Sequence, residues 1–308
     1  MVKDFISLLD FSSPEIHRML RLAHELKTLQ KKSLPHRWLR GKTQALIFEK
    51  PSLRTKMTFQ IGMFHLGGET LVMDMKLGER EAVPDVAKNL ERWVDLIVAR
   101  VYDHRDLICL AQNARIPVIN ALSNLLHPCQ IMADIMTLQE KMGENFDNCT
   151  IAFVGDGNNV FHSWAEALYH FNFSLRLVCP EGYTGDVNLV QSIKQKVGER
   201  LLIFHDIKEG VKNVDVVYTD VWASMGQEHE MEKREKIFAP YQVNKELMSL
   251  AKPNAFFMHC LPAHRGMEVT SEVIDSSQSV VYDQAENRLH IQKAIMVTLL
   301  GYNPININ

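Results

Sequence analysis

The alternation of short apolar runs with amphipathic segments is the feature that most constrains the fold of this chain. The first apolar runs are "ALIF", "TLVMDM", "DLIVARVY" and "PVINAL", and each precedes a segment whose apolar residues recur at helical spacing. Strands that alternate with helices are typical of a parallel sheet covered by helices on both faces. The chain is therefore predicted to be an α/β protein.

A second series of alternating segments begins after "ENFDNC". Its predicted strands are "TIAFV", "SLRLVCP", "VDVVYTD", "AFFMHC" and "SVVYDQ", and the last segment, "RLHIQKAIMVTLLG", is predicted to be a helix. A chain of 308 residues fits two domains of roughly 150 residues each. We place the boundary near residues 143–149, and we interpret "MGQEHEMEKREKIFAPYQ" as a mobile surface loop with some helix.

Composition excludes several classes of protein. A formal net charge of -3 gives no reason to expect a nucleic-acid or membrane-surface partner. The five cysteines form no C-x-x-C pair, which argues against a disulfide framework and for a reducing compartment. No apolar run reaches the ~18 residues of a membrane span, and the N-terminal segment resembles neither a signal nor a transit peptide. We expect a cytoplasmic protein.

Two cations and two hydroxyls stand between a predicted strand and a predicted helix in "PSLRTK". They are Ser52, Arg54, Thr55 and Lys56. Ligands of open parallel sheets gather at the carboxyl ends of the strands, where the N-terminus of the next helix suits a phosphate. The stretch predicts an anion site. The alternative is a plain helix cap by Ser52 or Thr55 with a solvated Arg54.

Two further signals lie at the same predicted sheet edge. Arg100 ends the strand "DLIVAR", and His127 and Gln130 are three residues apart at the start of a helix, so both can face one small ligand. The alternatives are a strand-end arginine that extends into solvent and a structural histidine with satisfied hydrogen bonds.

The turn "FVGDGNN" resembles a dinucleotide-binding loop only in part. Gly155 and Gly157 are present, but Val160 stands at the third glycine position and no acidic residue directly follows the next strand, so NAD binding is not expected. Asn158 and Asn159 stand at a helix start, where they can hold a carboxylate or simply cap the helix.

The strand exits "TDVWASMG" and "MHCLPAHRG" bring more polar residues to the carboxyl edge of the second sheet. These residues are Asp220, Ser224, Cys260, His264 and Arg265. His259 and Cys260 could suggest a metal site, but neighbouring residues of a strand point to opposite faces and no third ligand has a suitable spacing. No metal is expected.

These motifs together resemble one enzyme family over nearly the whole chain. "FEKPSLRT", "LGERE", "ARVY", "HPCQ", "VGDGNN", "DVWASMGQE", "HCLPAHRG" and "AENRLH" occur in the order found in the ornithine carbamoyltransferases. The resemblance implies a carbamoyl-phosphate domain of residues 1–143 and 287–308, an ornithine domain of residues 144–286, and a C-terminal helix that crosses back to the first domain. It also implies a trimer or a multiple of trimers, with active sites at subunit interfaces and with no metal or organic cofactor.

Site residues are carried over from the same resemblance. Those implied for carbamoyl phosphate are Ser52, the Leu53 backbone N–H, Arg54, Thr55, Arg100, His127 and Gln130. Those implied for ornithine are Asn159, Asp220, Ser224, Met225, Cys260 and the Leu261 backbone. Arg100, His127, Cys260 and Arg288 are the implied catalytic residues. Lys76 is either a phosphate ligand from the neighbouring subunit or a plain surface lysine.

The activity that the resemblance implies is carbamoyl transfer from carbamoyl phosphate to the side-chain amine of L-ornithine, a reaction of arginine metabolism. Many relatives have threonine where Leu53 stands and arginine where Lys56 stands, but the Leu53 amide and the Lys56 charge are retained. The alternatives are a carbamoyltransferase for aspartate, putrescine or an N-acylated ornithine, and a non-catalytic binding protein of the same fold.

Overall fold

The computed structural model describes residues 4–223 and 230–301. Its strands are β1 Thr43–Phe48, β2 Glu69–Asp74, β3 Leu96–Arg100, β4 Val118–Leu122, β5 Thr150–Val154, β6 Ser174–Val178, β7 Leu201–Phe204, β8 Val216–Thr219 and β9 Phe256–His259. Its α-helices are α1 Ser13–Lys31, α2 Leu53–His65, α3 Val83–Leu90, α4 His104–Asn113, α5 Pro128–Met142, α6 Asn159–Ala167, α7 Val187–Val197, α8 Ile207–Val211, α9 Met231–Phe238, α10 Lys245–Met248, α11 Ser271–Ile274 and α12 Val281–Leu299. Among the described helices, none combines the length and the apolar character needed to cross a bilayer.

The chain divides into two compact units. The first unit comprises Met1–Met136 with Glu286–Asn308, and the second comprises Thr137–Ala285. From Glu286 onward, α12 belongs to the first unit, where Asn287 accepts a hydrogen bond from Lys27 of α1 at 2.7 Å. The predicted fold class, with two α/β domains and a C-terminal helix that returns to the first, is confirmed.

The sheet of the first unit is parallel and has the order β2-β1-β3-β4. β1 leads through α2 to β2 on one side, whereas β3 leads through α4 to β4 on the other. Phe48 of β1 pairs with Arg100 of β3, so the two strands end level with each other. A ligand crevice is expected at the carboxyl ends of neighbouring strands where the order reverses.

The sheet of the second unit is parallel and has the order β7-β6-β5-β8-β9. Its order reverses between β5 and β8, whose last residues Val154 and Thr219 pair with each other. The turn that begins at Gly155 and the turn that begins at Asp220 therefore leave the sheet side by side.

Several strands are buried as sequence patterning requires, whereas the edge strands β2 and β7 are partly exposed. All five residues of β4 are buried, and so are the last four residues of β5. Strands that are covered on both faces are expected to be continuously apolar, because neither side meets water.

One local prediction differs from the structure. "SVVYDQ" was expected to be a strand, but α12 begins at Val281, and only Ser279 forms an isolated bridge to Phe257. The start of α12 is fixed by Gln284, whose side chain accepts from the His259 N–H and donates to the Tyr218 hydroxyl. These tertiary contacts override the preference of the paired valines for a strand.

The short edge strand β7 was not predicted. In the charged stretch that was interpreted as a loop, α9 occupies Met231–Phe238, while residues 225–229 lie outside the described residues.

Candidate active site

The N-terminus of α2 follows the carboxyl end of β1 and carries the Ser52 hydroxyl and the Arg54 guanidinium. Ser52 is the N-cap residue by position, but its side chain makes no capping hydrogen bond. Its Oγ instead accepts from Nη1 of Arg100 at 3.4 Å, across the level ends of β1 and β3. Arg54 is half-buried in the first turn of the helix, and Leu53 is 73% exposed. The structure thus brings Ser52 and Arg100 together as predicted.

Arg288 of α12 joins the first turn of α2 to α5. Its Nη2 donates to Thr55 Oγ1 at 2.9 Å, and its Nη1 donates to Gln130 Oε1 at 2.6 Å. The Gln130 amide Nε2 in turn donates to Asp134 Oδ1 at 2.8 Å, which fixes the orientation of the amide. All four side chains are buried. Rigid, buried donors of this kind are what a site for a developing negative charge requires.

His127 directly precedes α5, and its carbonyl accepts from the Gln130 N–H. Burial and the positive charges of Arg288 and Arg100 hold the pKa of His127 well below its ordinary value. The ring is therefore neutral near pH 7, and it can donate one hydrogen bond and accept another. We call Ser52, Arg54, Thr55, Arg100, His127, Gln130 and Arg288 the first-unit cluster.

Lys76 lies on a cleft of the first unit that Ser52 also lines. The cleft has a volume of about 540 Å³, and its lining includes Leu53, Lys56 and Glu79. Lys76 is exposed in the loop after β2. Lys56 is held by Asp74 at 3.2 Å.

Glu49 holds the loop that carries Lys76. Its carboxylate accepts from the Leu77 N–H at 2.8 Å and from the Tyr102 N–H at 2.6 Å. The loop after β2 and the loop after β3 are therefore tied to the end of β1.

Asp220 is the centre of the second group of predicted residues. Its Oδ2 accepts from Asn158 Nδ2 at 2.7 Å, and its Oδ1 accepts from the Cys260 thiol at 3.0 Å. Asn158 also caps α6, because its Oδ1 accepts from the N–H groups of Val160 and Phe161. Asn158 therefore caps the helix, as one alternative predicted, and its amide also orients the carboxylate of Asp220; binding of a substrate carboxylate at this helix start stays a prediction.

Asn159 and Leu261 complete this group. Asn159 is buried at the first position of α6, and Leu261 follows Cys260 with a positive φ of 59°. Ser224 and Met225 lie outside the described residues. We call Asn158, Asn159, Asp220, Cys260 and Leu261 the second-unit cluster.

Three possible metal ligands lie closer to one another than the alternation of strand residues suggested: Asp220, His259 and Cys260. Each offers one ligand atom, and these atoms lie within 4.8 Å of one another, because β9 ends at His259 and Cys260 already belongs to the loop. Both nitrogens of the His259 ring have partners, however. Nδ1 accepts from the Leu261 N–H at 2.8 Å, so the proton lies on Nε2, 3.2 Å from Glu268. A metal would have to displace one of these partners.

Sequence reasoning missed three residues that support these clusters. Asp134 orients Gln130, and the spacing of four residues on one helix was the available signal. Asp156 and Arg234 form a buried ion pair at 2.7 Å, between a turn and a helix that are 78 positions apart. No local pattern connects residues so distant in sequence.

Comparison with known proteins agrees with this arrangement. Residues 3–140 match the model for the aspartate/ornithine carbamoyltransferase carbamoyl-P binding domain, and residues 147–299 match the model for its Asp/Orn binding domain. A protein of Pyrococcus abyssi named ornithine carbamoyltransferase is 50% identical over 97% of this chain and 96% of its own length.

Solved structures agree as well. An ornithine carbamoyltransferase from Pyrococcus furiosus is 48% identical, covers 100% of this chain and 98% of its own, and superposes with a TM-score of 0.93. An N-acetyl-L-ornithine transcarbamylase is 30% identical, covers 96% of this chain and 99% of its own, and gives a TM-score of 0.84. The chain belongs to the aspartate/ornithine carbamoyltransferase family.

Proposed function

We propose that this protein transfers the carbamoyl group of carbamoyl phosphate to the side-chain amine of L-ornithine, giving L-citrulline and phosphate. The observation that carries the proposal is the buried fork of Arg288 on Thr55 and Gln130 beside a neutral His127. Relatives about half identical to this chain are named ornithine carbamoyltransferases, which favours ornithine over the other amines.

The first-unit cluster is the proposed carbamoyl-phosphate site. Ser52, Arg54 and Thr55, with the Leu53 N–H, bind the phosphate at the N-terminus of α2, where the helix dipole favours an anion. Arg100 bridges the phosphate and the carbamoyl oxygen. The carbamoyl group is held by His127, Gln130 and Arg288.

The chemistry is acyl transfer to an amine. The lone pair of the neutral δ-amine attacks the carbonyl carbon, and negative charge collects on the former carbonyl oxygen. That intermediate then expels phosphate, and the leaving phosphate takes the proton that the nitrogen loses. Arg100, His127 and Thr55 are the proposed donors to the oxygen, and loss of one such donor typically costs ~3 kcal/mol. Each step uses groups of the chain and its substrates, and we propose no cofactor or metal.

The second-unit cluster is the proposed ornithine site. Asp220 pairs with the α-ammonium, and Asn159 meets the α-carboxylate at the start of α6. Cys260 and the Leu261 backbone contact the side-chain amine. An ornithine δ-amine resembles lysine, with a pKa of ~10.4, so the site must favour the neutral form, and burial does so by disfavouring the ammonium. Ser224 and Met225 are further ornithine ligands by resemblance.

The test is the kcat/KM of purified protein for ornithine, N-acetylornithine, putrescine and aspartate at saturating carbamoyl phosphate. N-acetylornithine has no α-ammonium and leaves the buried charge of Asp220 without a cation, which costs ~3–5 kcal/mol and corresponds to at least about a hundredfold discrimination. Asp220→Asn should weaken the use of ornithine by a similar factor and leave carbamoyl-phosphate affinity unchanged. A rival amine used within roughly tenfold of ornithine would contradict the proposal.

We assign the carbamoyl-phosphate domain to residues 1–143 and 287–308 and the ornithine domain to residues 144–286. The proposed assembly is a trimer or a multiple of trimers in the cytoplasm. Exposed apolar side chains of the first unit support self-association: Leu53 is 73%, Met57 46% and Leu71 56% exposed.

A further inference from the structure

Arg234 of α9 is a buried arginine whose guanidinium joins two turns of the second unit to its own helix. Nη1 donates to Asp156 Oδ2 at 2.7 Å and to the Trp222 carbonyl at 2.9 Å, and Nε donates to Glu230 Oε2 at 2.9 Å. The guanidinium also lies 5.3 Å from the centre of the Tyr183 ring. Only 5% of the residue is exposed. A side chain held by so many partners has one position.

The two turns that Arg234 holds lead to Asn158, Asn159 and Asp220 of the second-unit cluster. Asp156 stands two residues before Asn158, and its carbonyl accepts from the Asn158 N–H at 2.7 Å. Trp222 stands two residues after Asp220. Arg234 therefore fixes both the donor and the acceptor of the hydrogen bond between Asn158 and Asp220.

Charge gives Arg234 a second role. Burial raises the pKa of Asp156, and the negative charges of Asp220 and Glu230 raise it further, whereas the hydrogen bond and charge of Arg234 lower it. Without the guanidinium, Asp156 and Asp220 would be two neighbouring carboxylates with no cation between them. Such a pair takes up a proton at a higher pH than an isolated carboxylate does. Either carboxylate could then attract an incoming ammonium.

We infer that Arg234 is a positioning residue for the amino-acid substrate: it neutralises Asp156 and holds the Trp222 turn, so that Asp220 alone receives the α-ammonium. The inference rests on the proposed function and assigns no contact between Arg234 and the substrate. The inference predicts that the site binds the α-ammonium of the substrate at one position only. A second carboxylate in competition would allow the amino acid to bind in an unproductive register.

Three variants separate the effect of the positive charge of Arg234 from the effect of its hydrogen bonds. Arg234→Met removes both, and it should raise the KM for ornithine roughly tenfold or more through misplacement of Asp220. It should also move the acid limb of kcat/KM for ornithine to higher pH. Adding Asp156→Asn to Arg234→Met should return the acid limb to the wild-type position but leave the KM raised, because the Trp222 carbonyl still lacks its donor.

Arg234→Lys keeps the charge beside Asp156 but loses the planar fork. We expect a wild-type acid limb with a raised KM. In all three variants the KM for carbamoyl phosphate should be unchanged.

Arg176→Met is the matched control. Arg176 also donates to two backbone carbonyls of the second unit, those of Gly210 and Lys212, and lies 5.6 Å from the ring centre of Phe204. It should leave the KM for ornithine unchanged, even if both variants unfold at a lower temperature.

The inference is overturned if Arg234→Met lowers the melting temperature but leaves the KM for ornithine within roughly twofold of wild type, or if both KM values rise together. Wild-type and Arg176→Met protein are assayed first. If neither forms citrulline, the proposed function fails, and calorimetric titration of each variant with ornithine then decides the role of Arg234.

Discussion

Arg288 is the residue on which the geometry of the first-unit cluster depends. One guanidinium fixes a hydroxyl on α2 and an amide on α5, although these partners are 233 and 158 positions away in sequence. The planar fork holds both acceptors at once, and a lysine ammonium presents no such fork. The positive charge alone is thus not what the site needs.

Arg288→Lys tests this requirement. We expect kcat to fall roughly a hundredfold, the usual cost of losing one preorganised donor to an oxyanion, because Thr55, one of the proposed donors, loses the hydrogen bond that positions it. The measurement is kcat and KM for both substrates. The control is Arg105→Lys, which changes an exposed arginine paired with Asp103 in the same unit. If both variants retained wild-type kcat, Arg288 would serve only to join the helices.

At the scale of elements, α12 carries a buried basic group in addition to Arg288. Burial, together with the positive charges of Lys293, Lys27 and Lys31, lowers the pKa of His290 to about 3. Burial also lowers the pKa of Lys293 to about 8, and its Nζ donates to Gln30 Oε1 at 2.7 Å. Glu286 is the acid that faces this group, 3.6 Å from both Lys27 and His290.

His290 should make the protein sensitive to acid. The folded-state pKa of about 3 lies below the ordinary 6.5, so between these values the unfolded chain binds more protons. The stabilisation is complete above pH 6.5 and falls as the pH drops through this window, by about 1.4 kcal/mol per pH unit for one such histidine. His290→Phe should therefore flatten the decline of melting temperature on acidification.

The comparison is of melting temperatures across the acid range for wild type, His290→Phe and His205→Phe. His205 is exposed in the second unit, and its replacement should leave the acid slope unchanged. Equal slopes in all three proteins would mean that other groups cause the acid sensitivity.

Sequence patterning predicted the elements whose signal is local. The runs that became β1, β3, β4, β5 and β8 are apolar enough to be recognised alone, and "HPCQ" indicated the start of α5. Patterning failed at "SVVYDQ", because the contacts of Gln284 with β8 and β9 come from residues distant in sequence. It also missed the edge strand β7, although its four residues, Leu201–Phe204, are all apolar.

The distinction between local signals and contacts between distant residues also applies to the first-unit and second-unit clusters. Ser52 and Arg100 follow or end strands of the first sheet, and Asp220 follows a strand of the second. Within one parallel sheet such residues share one edge, so sequence alone could assign each of them to the edge of its own sheet. Arg234 could not be found in this way. It stands in a charged stretch that is typical of a solvated surface, and its burial against Asp156 is a tertiary fact.

At the scale of the whole molecule, Lys76 provides a test of the proposed trimer. The cleft that Lys76 lines also contains Ser52 of the same chain, so the structure offers a route in cis. The family resemblance suggests a route in trans, through a trimer. The two routes make opposite predictions for a mixed assembly, because a closed trimer places a residue of one copy against a different residue of the next.

Mixing two inactive proteins decides between them. Arg54→Ala lacks the phosphate fork, and Lys76→Ala lacks the loop cation. If Lys76 acts in trans, a hybrid contains sites that take Arg54 from one chain and Lys76 from its neighbour, and about a quarter of the sites should recover after random exchange of subunits. If Lys76 acts in cis, every site keeps one defect and no activity returns.

The measurement is citrulline formation after dissociation and reassembly, with subunit exchange confirmed by mass spectrometry of differently tagged chains. Each protein passed alone through the same cycle is the control, and recovery in the mixture but in neither control would establish the shared site.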